Sequence, residues 1–192
     1  LYTYLLAQDL PIFPDARHAR LNTPQAREIV TFFRQLNREG LSTTDQDFPA
    51  ATAAFVNGQG GIFPVGTWMI GPYHQEAQTP GRPLYRAYAV LPYPALWGEP
   101  TAFVDGHAWV MPKRVRSAAQ VEAVARFLRF LAAHDLDWSR TGHLPAIKAV
   151  LARPGFVALP HRADIAAMAD TGRQLPGYVQ RQSAIQGLIG EE

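Results

Sequence analysis

The stretch Ala53–Gly71, AAFVNGQGGIFPVGTWMIG, constrains the fold more than any other part of this chain. A helix that runs into Asn57-Gly58 stops there, because glycine accepts the left-handed C-terminal cap, and the chain must turn back at once. Gly60, Gly61 and Gly66 allow close backbone approach, while Ile62, Phe63 and Val65 predict a short buried strand. Trp68 stands just past the end of that strand. Ligands of open α/β layers bind outside the carboxyl ends of strands, so Trp68 is a candidate platform, with ordinary core packing as the alternative reading.

Around this segment the pattern alternates helices with short apolar runs. Thr23 and Pro24 predict a helix start, and Ile29, Val30, Phe33 and Leu36 form one apolar stripe that Gly40 ends. A second helix is expected over Phe48–Val56, and a short one from Trp68 toward Tyr73; residues 75–83 read as an exposed loop. Tyr85–Val90 reads as a strand. The segment YAVLPYPALWGEP that follows carries Pro92, Pro94 and Pro100, which fit neither a helix nor a central strand, so it predicts a crossing between two compact regions. Beyond it, Gly106–Met111 reads as a second strand led by glycine. Ser117 and Gln120 have the spacing of a capping box, opening a helix with Val121, Val124, Leu128 and Leu131 on one face and a Glu122–Arg126 pair on the other. Gly142 and Pro145 mark a turn, and short helices are expected near 146–151, 163–169 and 178–188.

Composition narrows the class. With 192 residues, 47% of them hydrophobic, the chain can form one large domain or two small ones with a real core. No run of eighteen apolar residues offers a membrane-spanning helix. The opening LYTYLLAQDLPIF starts within an apolar pattern, which reads as a processed product or an internal piece of a longer protein. The net charge of +2 comes from scattered arginines, with Lys113 and Lys148 the only lysines, and no basic stripe interleaved with aromatics supports a nucleic-acid groove. Zero cysteines remove disulfides, thiolate nucleophiles and Cys-ligated zinc together, as suits an extracytoplasmic bacterial protein.

Catalytic signatures are sparse. Neither a G-x-S-x-G elbow nor a P-loop occurs, and GQGG at Gly58–Gly61 is too short a pattern for a dinucleotide fingerprint. His74-Gln75-Glu76 has half of a zinc-deaminase motif whose other half needs cysteine. His107 and His143 lack a partner at helical spacing, so hydrogen-bonding or solvent-facing roles are expected, with no metal and no cofactor. Asp105-Gly106-His107, ahead of Trp109, pairs a carboxylate and an imidazole across a glycine. That trio can hydrogen-bond the hydroxyls of a polar ligand, act as acid and base, or form a plain turn.

Taken in order, AAFVNGQGGIFPVGTWMIG, YAVLPYP, FVDGHAWVMPK, ARFLRFL and TGHLPA resemble the bacterial ABC-transporter solute-binding proteins of the sugar-binding, maltose-binding-protein-like group, over nearly the whole chain. The resemblance implies an α/β, periplasmic-binding-protein-like fold of class II. It implies a two-lobed clamp that closes on a carbohydrate or similar polar solute and delivers it to a membrane permease. The protein would lie outside the cytoplasm and meet the membrane only through the transporter or a lipid anchor not in this chain. Trp68 matches the family position that stacks on a sugar ring, and Gly106 the glycine turn that hydrogen-bonds the ligand from the other lobe. Asp105, His107 and Trp109 flank that turn, and Tyr73 is a second candidate platform.

The chain is about half the family's length. By the resemblance, residues 1–90 and 141–192 would belong to the second lobe, and 91–140 would be the hinge crossing and the returning segment of the first. The apolar face from Val121 to Leu131 would then need another copy, a swapped element or a rearranged seat to cover it. A glycan-acting enzyme with Asp105, Glu99 or His107 as acid and base is the rival reading, and a non-catalytic interaction domain the third.

Overall fold

A computed structural model of the chain describes residues 1–191. In chain order its elements are α1 (Tyr2–Ala7), α2 (Pro24–Arg38), α3 (Phe48–Val56), a 3-10 turn (Thr67–Met69) and α4 (Ile70–Gln78). There follow β1 (Ala102–Phe103), α5 (Ala118–Ala133), α6 (Asp135–Ser139), a 3-10 turn (Lys148–Val150), α7 (Pro154–Val157), α8 (Arg162–Ala166) and α9 (Met168–Thr171). The chain ends with β2 (Gly172–Arg173) and α10 (Gln182–Glu191). Two compact units share these elements. One comprises Leu1–Thr44, Tyr93–Asp105 and Thr171–Glu192; the other comprises Asp45–Pro92 and Gly106–Asp170. The chain passes between the units at Thr44, Pro92, Asp105 and Asp170.

The helix starts follow local chemistry. Thr23 accepts from the Ala26 N–H at the head of α2, and Asp47 accepts from the Ala50 N–H at the head of α3. Ser117 and Gln120 complete a reciprocal capping box at the head of α5. Each side-chain oxygen satisfies a donor that the first turn leaves orphaned, so these boundaries follow from a few adjacent residues. Gly58, after the Asn57 cap of α3, has φ +71°, the left-handed conformation that ends the helix.

In the first unit, α1, α2 and the 93–103 segment surround an aromatic core. Tyr4 packs edge-on against Trp97 at 4.9 Å between ring centroids and against Tyr93 at 5.4 Å, and Tyr2 meets Phe13 and Phe103. Leu5, Ile12, Ala26 and Ile29 fill the space between. β1 and β2 pair in parallel, Ala102 with Gly172 and Phe103 with Arg173, and Tyr178 donates to the Phe13 carbonyl at 2.6 Å.

The second unit has a smaller core of Ile70, Tyr73, Ala77, Leu84, Val150, Phe156 and Ile165. Buried polar groups organise it. Both Asp135 carboxylate oxygens accept main-chain N–H groups, from Ala146 at 3.1 Å and Ile147 at 2.8 Å, which pins the turn after Pro145 to α6. Arg162, 2% exposed, donates through Nε and Nη2 to the Ser139 carbonyl and through Nη1 to Pro160.

Several expected elements are corrected. Residues 62–65, 85–90 and 106–111 are not strands: Ile62 is 89% exposed and Val110 81%, and none of the three runs has a ladder partner among the described residues. A short apolar run becomes a strand only when another strand satisfies its backbone; where an α/β chain was expected, the described residues are mostly helical with one two-stranded sheet. Residues 75–78, expected in a loop, continue α4, and α1 lies in a stretch for which no element was foreseen. Glu122 pairs with Arg129 at 3.3 Å rather than with Arg126. The expected 163–169 helix is split into α8 and α9, and the last helix begins at Gln182 instead of Tyr178. No helix among the described residues is long and apolar enough to cross a membrane.

Candidate functional site

The candidate site is built on the G-x-W turn between α3 and α4. A Cβ on Gly66 would collide with the Trp68 ring, so the indole lies over the bare glycine main chain. This explains the glycine two residues before the tryptophan: any larger residue would push the ring away. One part of the indole is thereby seated while Trp68 stays half exposed, at 50%. A groove of about 390 Å³ runs beside it, lined by Gln46, Asp47, Phe48, Ala51, Phe63, Pro64, Val65, Gly66 and Trp68. That size lies in the range of small-molecule sites. Phe48 and Phe63 sit with ring centroids 6.4 Å apart, so the lining is aromatic, with Gln46 and Asp47 as its amide and charged members.

Tyr73 lies behind this wall. It is 2% exposed, packs on Phe55 at 5.1 Å, and Phe55 in turn packs on Phe63 at 5.8 Å, so it supports the groove through two layers of ring contact. Its hydroxyl is buried beside that of Thr52. Burial raises the Tyr73 pKa above its ordinary value, and Tyr88, beside it, is pushed up to about 12 by burial and by Tyr73.

The turn at Gly142 abuts the same motif. Gly142 has φ +113°, and a Cβ there would come within 2.5 Å of the Thr67 carbonyl oxygen and 3.1 Å of the Trp68 Cα. His143 follows directly. Its ring stacks on Trp138 at 4.6 Å with an interplanar angle of 29°, and the His107 ring lies 6.4 Å away. Burial, His107 and Arg162 together hold the His143 pKa below the usual histidine value. Trp109 is 73% exposed and meets Phe127 edge-on at 5.6 Å.

The expected site residues are therefore distributed. Trp68 lines the groove, Tyr73 backs it, and His107 reaches the His143–Trp138 pair. Gly106 and Trp109 lie on exposed irregular backbone of the same unit. Asp105 belongs to the first unit, where Gln182 Nε2 approaches its carboxylate at 3.4 Å. Asp47, Phe48 and Phe63 were not foreseen as lining residues: Asp47 carried no reading, Phe48 read as a helix start, and Phe63 as a buried strand residue. Trp138 carried no motif of its own. No group of three or more metal-ligating side chains occurs among the described residues.

The family model for bacterial extracellular solute-binding proteins matches residues 1–164, and the chain belongs to that family. No curated protein and no solved structure matches the chain. Membership carries a periplasmic-binding-protein-like fold, solute binding for ABC transport, a small solute as ligand, a transporter as partner and an extracytoplasmic location; the family is typically non-enzymatic.

Proposed function

We propose that this chain contributes the aromatic wall of a carbohydrate site, or that of a similar polar solute, in a two-lobed class II binding protein that hands its solute to an ABC-transporter permease. The observation that carries this reading is Trp68: a half-exposed indole, seated on Gly66, beside a groove of about 390 Å³ with Phe48, Phe63 and Asp47. A sugar ring offers an apolar face to an indole plane and a rim of hydroxyls to fixed polar groups, and this wall provides both. The exposed apolar residues of α5, with Val121, Phe127, Leu128 and Phe130 all more than 40% exposed, support the view that the chain is the C-terminal half of such a protein. In that reading residues 91–140 return to a first lobe, and the α5 face is covered by the rest of that lobe or by self-association.

Half of a clamp retains a fraction of its binding free energy, so a micromolar intact site would leave roughly millimolar affinity here. Thermal-shift and calorimetric titration with mono- and oligosaccharides tests the reading. Saturable binding without turnover, abolished by Trp68→Ala, is expected. Release of hydrolysed product, or binding unchanged in Trp68→Ala, would overturn it.

A further inference from the structure

Charge is distributed unevenly along the segment that builds the groove beside Trp68. The chain carries 18 lysines and arginines, yet none falls between Glu39 and Gly81, and every lining residue comes from within that gap. Over residues 46–68 Asp47 is the one charged side chain. Its Oδ1 accepts the Ala50 N–H at 2.9 Å, which fixes the carboxylate at the head of α3, and Oδ2 makes no hydrogen bond among the described residues. The head of a helix carries only about half a positive charge, so the full charge of Asp47 decides the sign of the potential here. Lining the same groove are the rings of Phe48, Phe63 and Trp68, with Phe48 and Trp68 about half open to solvent. Aromatic faces are also negative and attract cations, the indole face most strongly. A carboxylate and three rings, with no lysine or arginine in the lining, favour a positive charge over a negative one.

We infer that the groove selects a solute bearing a protonated amine, an amino sugar, over neutral sugars, and selects both over sugar acids. Asp47 is the specificity-determining residue: Oδ2 accepts from the ammonium group while Trp68 takes the apolar face of the sugar ring. A neutral hydroxyl at the same place makes a weaker bond, since only one of its partners is charged. A solute carboxylate meets Asp47 with no cation in the lining to offset the repulsion. This inference rests on the solute-binding reading above and adds the charge class of the solute.

Glucosamine, N-acetylglucosamine, glucose and glucuronate, titrated into the full chain at neutral pH with the Trp68 indole N–H resonance as readout, test the inference. Glucosamine should bind about fivefold tighter than glucose or N-acetylglucosamine, whose nitrogen is a neutral amide, and glucuronate about fivefold weaker than glucose. Added salt should narrow both differences, because Asp47 is exposed. Asp47→Asn isolates the residue: asparagine caps a helix as well as aspartate does, so α3 keeps its start while the charge is lost, and Asp47→Ser repeats the test with another good cap. In either variant the four affinities should fall within about twofold of one another, the rings alone retaining a slight preference for the amine. Equal affinity of the wild type for glucosamine and N-acetylglucosamine, or an order of affinities that survives in both variants, overturns the inference and leaves the solute reading standing. Binding of none of the four sugars to the wild type overturns both.

Discussion

Gly142 shows how one position couples the turn after α6 to Trp68. Its φ of +113° lies where side-chain-bearing residues are strained, and the space a Cβ would need is filled by the Thr67 carbonyl. Gly142→Ala should destabilise the protein by about 2 kcal/mol or more, from backbone strain and overpacking together. Gly61→Ala, with open space around it, should change stability little. Urea denaturation of the two variants makes the comparison. Gly142 was readable as a turn from its neighbours in TGHLPA, but its partner was not, because Thr67 is 75 residues away in sequence. Trp68 was readable as a candidate platform for the opposite reason: the glycine that seats its ring is only two residues before it. Tyr73 had the same aromatic signal, yet it faces inward on α4, and a single aromatic residue does not say which side of its helix meets the core.

Among the elements, α5 rests largely on its own local terms. None of its residues is buried, so tertiary packing adds little and the capping box adds a larger share than in a core helix. Ser117 accepts from the Gln120 N–H at 3.3 Å, and the Ser117 N–H donates to Gln120 Oε1 at 3.0 Å. Ser117→Ala should cost about 1 kcal/mol of helix stability, seen as faster amide hydrogen exchange over residues 118–122. Helices such as this were legible because cap, first turn and apolar stripe lie within a few residues of one another. The apolar runs at 62–65, 85–90 and 106–111 were not, since a strand's hydrogen bonds belong to a partner elsewhere in the chain. The one sheet among the described residues pairs 102–103 with 172–173, about seventy positions apart, from segments with no alternating pattern.

On the scale of the whole molecule, the second unit places histidines around a buried cation. No carboxylate among the described residues pairs with Arg162, whose acceptors are the carbonyls of Ser139 and Pro160. His74 lies against His161 at 5.5 Å, and burial, His161 and Arg162 lower its pKa; His161 itself approaches Asp164 at 3.4 Å. His143 is lowered by burial, His107 and Arg162. Both are depressed below the ordinary 6.5, so the unfolded chain binds protons more readily than the folded one as pH falls. Stability should be full above about pH 6.5 and decline as pH drops from there through the folded-state values. Calorimetric melting from pH 7.5 to 5 should show a falling midpoint, and His74→Gln with His143→Gln should flatten the slope. None of this pH dependence could be read along the chain, because His74, His143 and Arg162 are brought together only by folding. The sequence by itself determined the starts of α2, α3 and α5, the Gly66-Thr67-Trp68 turn and the family, all of which depend on residues close together or on their linear order. Only the tertiary structure decided that Trp68 borders a groove with Asp47 and Phe63, that Tyr73 backs it and that His143 stacks on Trp138 near His107, because burial and ring contacts depend on which distant segments meet.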